Sequence, residues 1–212
     1  MTIKLYWKTS RDTAVIPKQN KEGDAGFDLA AAETALIWPG QTLAVPTGLH
    51  TILAQGTELQ VRPRSGLSLR TALRIPNSPG TIDAGYRDEI KVLLYHQGSA
   101  FPVSEKVLQK LKPLIEEAWQ SEASFDPVYQ AKCRDILAKY DVPIHDLENS
   151  SPSWGPYIIH QGDRIAQAVA AVVPWVEWQE LDETNRAEAE AQSVADRGGG
   201  FGSSGVKSER QS

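Results

Sequence analysis

The chain has 212 residues, of which 41% are hydrophobic, and this is enough to bury the core of a single domain of ordinary size. Its formal net charge of −5 argues against a broad basic surface for nucleic acid, so any anion site must be built from a few well-placed arginines. The single cysteine, Cys133, excludes an intrachain disulfide and favours a reducing, cytoplasmic location. The first seven residues show no signal-peptide pattern, and no apolar run approaches the length of a bilayer span.

Up to about residue 96 the sequence predicts β-structure. Short apolar runs are separated by turn residues such as Pro39-Gly40, Gln55-Gly56 and Pro79-Gly80. The predicted strands cover residues 3–7, 26–30, 34–37, 43–45, 49–53, 57–61 and 90–95, and two more cover residues 157–159 and 165–173. Many short strands at this spacing are typical of a β-sandwich, a jelly roll or a barrel.

Between residues 102 and 156 the apolar residues recur at helical spacing. One predicted helix is capped by Ser104 and is expected to kink or divide at Pro113. A second has Asp126 as its cap and Pro127 in its first turn. The predicted apolar faces are Val107, Leu108, Leu111, Leu114, Ile115, Ala118 and Trp119 on the first helix, and Tyr129, Cys133, Ile136, Leu137 and Tyr140 on the second. We interpret the segment as a helical insertion whose apolar faces serve packing or, alternatively, bind a protein partner.

Residues 184–195 are rich in alanine and glutamate, which predicts a short solvated helix or a loose tether. The tail that follows, residues 197–205, combines one arginine, one phenylalanine and two serines with five glycines. Glycine backbone, guanidinium and hydroxyl groups bind phosphate, and an aromatic ring stacks on a base. The tail therefore predicts either a flexible clamp for a nucleotide polyphosphate or a floppy glycine-serine end.

Two upstream segments carry groups suited to phosphate-transfer chemistry. Arg64 and Ser65, beside the turn at Gly66, can hold a phosphate, although an ordinary β-turn with surface arginines fits equally. Asp83 lies next to a turn and just before a strand, where a carboxylate can orient and deprotonate a water. Tyr86 presents a flat ring for a sugar, and the alternatives are a turn-capping aspartate and a core tyrosine.

Two further segments are weaker on their own. Arg164 and Gln167 open a strand and can both donate to phosphate oxygens, or they are ordinary surface residues. Asp28 follows a glycine-rich turn and is a candidate ligand for a metal or its water, although a lone aspartate there is usually structural. The sequence contains no Walker-type phosphate loop and no G-x-G-x-x-G between a strand and a helix, and its four histidines lack zinc-ligand spacing.

The order of these segments strongly resembles the five motifs of the trimeric deoxyuridine triphosphatases. The matching stretches are residues 24–29 (DAGFDL), 63–67 (PRSGL), 80–90 (GTIDAGYRDEI), 162–167 (GDRIAQ) and the glycine-rich tail. The resemblance covers nearly all of the chain outside the insertion. It implies a mainly β fold, a β-barrel or jelly roll with a helical insertion and a flexible C-terminal arm. The implied domains are residues 1–101 and 157–181 for the barrel, 102–156 for the insertion, and 182–212 for the tether and arm.

The same resemblance implies hydrolysis of dUTP to dUMP and pyrophosphate, which limits uracil in DNA and supplies dUMP for dTMP synthesis. The active sites are expected between the subunits of a homotrimer, with the tail of a third subunit closing over each. Asp83 is then the catalytic residue that orients the water attacking the α-phosphorus, and Asp28 positions Mg²⁺ through water. Tyr86 packs under the deoxyribose, where a 2′-hydroxyl would clash.

The other substrate-binding residues implied by the resemblance divide by the part of dUTP that they contact. The phosphates are held by Arg64, Ser65, Gly66, Arg164 and Gln167. The uracil edge is read by backbone in the segment that contains Asn77, Gly80 and Ile82. The arm supplies Arg197, Ser203 and Ser204 for the γ-phosphate, together with Gly202, and Phe201 to cover the uracil. Three arginines and Mg²⁺ can neutralise most of the roughly four negative charges of a triphosphate.

Four features depart from the family pattern. Asp88 stands where the family often has glycine, and only three glycines separate Arg197 from Phe201, one fewer than expected. About ten extra residues follow Arg186, which lengthens the tether at a small entropic cost. The insertion is absent from short family members. Two alternatives remain on the same scaffold, a dCTP deaminase and a nucleotide-sensing or partner-binding protein; Tyr86 and the phenylalanine-bearing tail favour the pyrophosphatase.

Overall fold

A computed structural model describes residues 2–19, 21–98, 104–120, 122–147 and 155–192. The chain divides into two compact units, Met1–Pro174 and Trp175–Ser212. In the described residues the strands are β1 (Leu5–Thr9), β2 (Gly26–Ala30), β3 (Ala35–Ile37), β4 (Thr42–Pro46), β5 (Leu49–Leu53), β6 (Thr57–Arg62), β7 (Leu73–Arg74), β8 (Gly80–Ile82), β9 (Lys91–His96), β10 (His145–Asp146), β11 (Tyr157–Ile159) and β12 (Arg164–Val172). The helices are α1 (Ser65–Arg70), α2 (Glu105–Ala118), a 3₁₀ helix (Ala123–Phe125), α3 (Pro127–Lys139) and α4 (Arg186–Gln192).

The predicted mainly β fold is confirmed, and every predicted strand is present with ends shifted by at most about two residues. The sequence did not reveal β7, β8 and β10, which are too short for an alternating pattern to be read. It also missed α1, because serine and glycine at its start favour turns over helices. That helix forms around Leu67, which is buried and anchors it to the core.

Four strands form the antiparallel sheet that carries the matching segments, in the order β2-β12-β6-β8. Within it Gln167 pairs with Asp28 on one side and with Arg62 on the other. Gly80 pairs with Val61 on the far side of β6. One sheet therefore holds three of the matching segments, which are distant in sequence: residues 24–29 lead into β2, residues 162–167 into β12, and residues 80–90 begin with β8.

The core of the first unit lies between this sheet and three smaller ones, of order β4-β9-β7, β10-β11-β3 and β1-β5. Alternate residues of the strands point inward and are fully buried, among them Leu29, Leu59, Val92 and Ile165. Each such side chain contributes about 1.5–3 kcal/mol by leaving water. This packing fixes the strand register and, with it, the positions of the polar residues at the strand ends.

The predicted insertion helices are present as α2 and α3. Helix α2 runs from Glu105 through Pro113 to Ala118, so the expected division at the proline is not found. Ser104 is the N-cap residue of α2, as predicted, but its side chain makes no capping hydrogen bond. The carboxylate of Asp126 does cap α3, accepting the Val128 amide at 2.8 Å, as predicted.

Hydrogen bonds and buried side chains join the insertion helices to β3 and the turn after it. Trp38 donates from Nε1 to the Tyr129 hydroxyl at 3.0 Å, and that hydroxyl donates to the Leu114 carbonyl at 2.9 Å. Gln41 donates to the Ser124 hydroxyl at 3.1 Å. Cys133 is completely buried, and burial raises the pKa of its thiol to about 11, so it is a packing residue, as expected.

In the second unit, Trp175–Ser212, the structure describes residues up to 192. The predicted short helix is α4, and its described side chains are exposed. The Asp182 carboxylate accepts the amides of Thr184 and Asn185 at 2.8 and 3.1 Å, which shapes the turn before the helix. Among the described helices of the whole chain, none has the length and apolarity that crossing a membrane requires. The division of the chain into barrel, insertion and arm stays a prediction.

Candidate active site

Asp28 on β2 is bridged by two arginines. Its Oδ1 accepts Nε of Arg64 at 2.7 Å, and its Oδ2 accepts Nη1 of Arg164 at 3.1 Å. Arg64 also donates from Nη1 to the backbone carbonyl of Arg164 at 3.0 Å. The carboxylate and Arg64 are about three-quarters buried, whereas most of the Arg164 side chain faces solvent. Two guanidinium groups around one carboxylate leave a net positive charge facing solvent, which suits a polyanion.

We call Asp28, Arg64 and Arg164 the arginine cluster. Gln167 on β12 lies next to it. Its Nε2 donates to the Pro63 carbonyl at 2.9 Å and so ties β12 to the chain just before Arg64. Gly26 faces the same side chain, and a Cβ at Gly26 would lie 2.9 Å from Oε1 of Gln167. The glycine of the DAGFDL stretch therefore makes room for the amide that holds the second segment in place.

Arg64 and Ser65 mark the start of α1. Arg64 is the N-cap residue with extended backbone, and Ser65 is the first residue of the helix and is exposed. One turn later, the guanidinium of Arg70 folds back toward Gly66, so that a Cβ at Gly66 would lie 3.2 Å from its Nη1. Sequence reasoning missed Arg70 as a neighbour of this segment because the four-residue spacing has meaning only on a helix.

The residues expected to read the base lie at and beside β8. The side-chain amide of Asn77 lies over Gly80, since a Cβ at Gly80 would be 3.1 Å from its Nδ2. Ile82 is partly buried and packs against the core, which fixes the backbone of β8 at its other end. Asn77, Gly80 and Ile82 thus belong to one short, well-anchored stretch.

Asp83 and Tyr86 form the turn that follows β8. The Tyr86 amide donates to the Asp83 carbonyl at 3.0 Å, and the Tyr86 hydroxyl donates to the Glu89 carbonyl at 2.9 Å. Asp83 itself is exposed, so its carboxylate is accessible to water. Burial, followed by the charges of Asp88 and Glu89, raises the pKa of Tyr86, so the hydroxyl stays protonated as a donor near neutral pH.

The structure does not bring the Asp83–Tyr86 turn to the arginine cluster of the same chain. Gly80 pairs with Val61 and Ile82 with Leu59, so β8 runs away from the end of β6 that leads to Ser65. Three residues of extended chain place Asp83 about 10 Å beyond Gly80. In the described residues no hydrogen bond or ion pair joins Asp83 or Tyr86 to the cluster. The predicted site residues therefore form two separate groups on one chain.

The predicted arm residues Arg197, Phe201, Gly202, Ser203 and Ser204 lie outside the described residues. Their roles stay predictions. Arg186, the other arginine near the tail, begins α4 and lies 4.0 Å from the Glu190 carboxylate.

A cavity of about 660 Å³ is lined in part by residues of β1, β2 and β5. Most of its lining is apolar, including Leu5, Trp7, Phe27 and Ile90. Of the predicted site residues that the structure describes, none lines this cavity.

Among the solved structures similar to this chain are dUTPases of staphylococcal phages. The Staphylococcus bacteriophage 80alpha dUTPase with dUPNHPP matches with a TM-score of 0.68 at 24% identity, covering 96% of this chain and 99% of that one. The dUTPase of the S. aureus phage phi11 matches with a TM-score of 0.61 at 22% identity, covering 85% and 97%. At this identity the likeness shows the fold alone, a mainly β fold of the dUTPase kind.

Sequence comparison reaches the same family. The family model for dUTPase matches residues 12–108. The deoxyuridine 5′-triphosphate nucleotidohydrolase of Clostridium kluyveri is 47% identical over 153 residues, which cover 72% of this chain and 96% of that protein. That of Clostridium acetobutylicum is 42% identical over 118 residues, covering 54% and 81%. The chain belongs to the dUTPase family, and the predicted family membership is confirmed.

Proposed function

We propose that this protein hydrolyses dUTP to dUMP and pyrophosphate. The observation that carries the proposal is the arginine cluster, in which Asp28, Arg64 and Arg164 converge from β2, the start of α1 and β12. These residues come from three of the segments that match the family motifs. Their convergence gives a pre-arranged cationic surface for a triphosphate, and it needs no rearrangement of the backbone to form.

The reaction is a displacement at the α-phosphorus by water. Asp83 accepts a proton from the water while its oxygen forms the new bond to phosphorus. The bond from the α-phosphorus to the bridging oxygen breaks, and pyrophosphate leaves with the electron pair. Water is the nucleophile, so no covalent intermediate on the protein is needed, and catalysis rests on positioning and charge compensation.

The phosphates are assigned to the second and fourth segments. Arg64 and Arg164 offer guanidinium donors to the phosphate oxygens, and Gln167 and Ser65 add neutral donors. Since Asp28 already holds both guanidinium groups in place, little side-chain entropy remains to be lost when the nucleotide binds. Gly66 lets the chain approach the phosphates closely at the start of α1.

The nucleoside is assigned to the third segment. Backbone groups between Asn77 and Ile82 read the uracil edge, and Tyr86 packs under the deoxyribose. The turn at Asp83 supports this role, because Tyr86 is held by hydrogen bonds from both its backbone amide and its ring hydroxyl. The arm residues complete the site in this proposal, with Phe201 over the uracil and Arg197 at the γ-phosphate.

Mg²⁺ fits as a companion of the substrate rather than as an ion held by the protein alone. Among the described residues no three His, Cys, Asp or Glu side chains are grouped to hold a metal. Each Asp28 oxygen accepts one guanidinium N–H and has a further lone pair for a water of the ion's shell. Mg²⁺ commonly binds in this way, through substrate phosphates, waters and one carboxylate, and it would supply charge neutralisation at the phosphates. The phage phi11 dUTPase coordinates a structural Mg(II) ion.

The active assembly in this proposal is a homotrimer with active sites shared between subunits. The separation of the Asp83–Tyr86 turn from the arginine cluster on one chain supports this, because a neighbouring subunit can supply the missing half. The insertion is proposed to bind a protein partner, supported by the exposed Leu108, Trp119 and Val128. A cytoplasmic location completes the proposal and agrees with the single thiol of Cys133.

Hydrolysis in water enriched with ¹⁸O tests the proposed site of attack. If water attacks the α-phosphorus, the label enters dUMP and the pyrophosphate stays unlabelled. Label in the pyrophosphate would mean attack at the β-phosphorus and would overturn the assigned role of Asp83. Mass spectrometry of both products after a single turnover gives the answer.

A further inference from the structure

Arg11, which precedes all the segments that resemble the family motifs, forms an ion pair with Glu89 at the end of the third one. Its Nε donates to Oε1 of Glu89 at 2.9 Å and its Nη2 to Oε2 at 3.3 Å, a two-pronged contact. The Glu89 side chain is only 13% exposed. Its Oε1 also accepts the Gly48 amide at 2.7 Å, and Arg11 makes a second ion pair with Glu33.

Glu89 in turn sets the position of the Tyr86 ring. The Tyr86 hydroxyl donates to the Glu89 carbonyl at 2.9 Å, so the far end of the ring is tied to the same residue whose side chain Arg11 holds. The backbone of Tyr86 is held by the hydrogen bond from its amide to the Asp83 carbonyl. A displacement of the Glu89 backbone is therefore transmitted to the ring.

Residues 47–49 lie between Arg11 and the backbone that follows Glu89. The Ile90 amide donates to the Leu49 carbonyl at 2.8 Å, and the Thr47 hydroxyl donates to the Ile90 carbonyl at 2.6 Å. Gly48 has a φ of +70°, and a Cβ there would lie 3.2 Å from Cβ of Arg11. Arg11 thus lies directly against residues 47–49, which form hydrogen bonds with Glu89 and Ile90.

The charge of Glu89 depends on its partners. Burial by itself would raise the pKa of Glu89, but the Arg11 guanidinium and the Gly48 amide lower it overall. The carboxylate is therefore ionised at neutral pH. Removing Arg11 leaves a mostly buried negative charge with a single amide donor, and such a group moves toward water when it can.

We propose that Arg11 and Glu89 are positioning residues that hold the Tyr86 ring where it excludes a 2′-hydroxyl, and so set the preference for deoxyribonucleotides. This inference rests on the proposed function, in which Tyr86 packs under the deoxyribose. Neither Arg11 nor the side chain of Glu89 is assigned a contact with the nucleotide. Their effect is confined to the placement of the ring and therefore to discrimination between dUTP and UTP.

The test compares kcat/KM for dUTP and for UTP in the full-length protein and its variants. Arg11→Ala and Glu89→Gln are each expected to lower the dUTP-to-UTP ratio of kcat/KM by about tenfold, because the ring gains freedom to move away from a 2′-hydroxyl. Arg11→Lys keeps the charge but cannot make the two-pronged contact, so its dUTP-to-UTP ratio is expected to lie between those of wild type and Arg11→Ala. The matched control is Glu33→Gln, which removes the other carboxylate on Arg11 and is expected to leave the ratio within about twofold.

A double variant separates positioning from general stability. Tyr86→Phe removes the hydroxyl bond to Glu89, so adding Arg11→Ala to it is expected to change the ratio by no more than about twofold further. If Arg11→Ala and Glu89→Gln lower only Tm and leave the ratio unchanged, the pair merely stabilises the fold and the inference is wrong. A wild-type protein that does not hydrolyse dUTP overturns the proposed function and this inference together, whereas turnover with an unaltered ratio in the variants overturns this inference alone.

Discussion

Asp28 accepts Nε of Arg64 across 2.7 Å and joins a residue of the first matching segment to one of the second, 36 positions later in the chain. Arg164 binds the other oxygen of the same carboxylate. One aspartate thus orients two cations that the proposed reaction assigns to the phosphates. This contact explains why an acidic residue lies in the middle of a site for a polyanion.

Replacing Asp28 by asparagine should separate phosphate binding from folding. Arg64 and Arg164 lose their charged anchor, so KM for dUTP is expected to rise about tenfold. Stability should fall by only about 1 kcal/mol, because the ion pairs are partly exposed. Steady-state kinetics and urea unfolding measure the two effects, with Asp146→Asn, which loses an exposed contact to His160, as the control. An unchanged KM would remove Asp28 from the phosphate site.

Asp83→Asn should affect kcat far more than binding. Loss of the general base is expected to lower kcat by roughly 10²–10⁴-fold while KM stays within about threefold. Asp88→Asn is the control, because this carboxylate is exposed in the same turn and has no assigned role in the reaction. Near-normal kcat in Asp83→Asn would contradict the assignment of the base.

Gly26→Ala should damage the site through Gln167. The added methyl would lie 2.9 Å from Oε1 of Gln167, and the amide must move and lose its bond to Pro63. We expect kcat/KM for dUTP to fall about tenfold. Gly40→Ala provides the comparison, because its φ of +80° strains the backbone at a cost of about 1 kcal/mol without any contact near the site. Equal losses of activity in both variants would point to instability alone.

Removing residues 197–212 should leave the proposed homotrimer folded but with little activity. The proposed role of the arm is confined to the γ-phosphate and the uracil. Circular dichroism and light scattering report the fold and the oligomer, and pyrophosphate release reports the activity. Unfolding on truncation would make the tail structural instead.

Stability should fall as the pH drops below about 6.5 because of His96. Its Nε2 faces the Gly155 carbonyl at 2.8 Å and its Nδ1 accepts the Gly98 amide at 3.0 Å, so the buried ring is neutral. Burial, opposed in part by the Gly155 bond, lowers the pKa of His96 below its ordinary 6.5. The unfolded chain then binds a proton first, and the free energy of unfolding decreases by up to about 1.4 kcal/mol per pH unit between 6.5 and the lower folded pKa.

The variant His96→Gln removes this titration. Its Tm between pH 7.5 and 5.5 should vary less than that of the wild type, even if it is lower throughout. The Glu89 carboxylate, whose pKa is also lowered, adds its own loss only nearer its ordinary value of 4.5. Parallel pH profiles for wild type and variant would remove His96 as the cause.

The strands and the insertion helices could be predicted because their apolar residues repeat with clear periods. The start of α3 could also be predicted, since Asp126 is followed directly by Pro127. Helix α1 could not, because its glycine and serines favour a turn until Leu67 is buried. Of the two outcomes expected at Pro113, a division of the helix is not found, and the buried side chains of α2 pack on both sides of the proline.

The residues of the candidate site were named from the sequence, and their roles stay predictions; the contacts between them could not be predicted. Asp28 was expected to reach Mg²⁺ through water, and its two arginine partners, Arg64 and Arg164, became visible only in the folded sheet. The Arg11–Glu89 pair spans 78 positions and carries no local pattern. Such contacts depend on strand register, which is set by the packing of the whole core.

The proposed hydrolysis is tested most directly by incubating the purified protein with dUTP, dCTP and UTP in the presence of Mg²⁺. We expect pyrophosphate and dUMP from dUTP, no ammonia from dCTP, and much slower turnover of UTP. Release of ammonia from dCTP would identify a deaminase. Tight binding of dUTP without pyrophosphate release would make the protein a nucleotide sensor and would contradict the proposed hydrolysis.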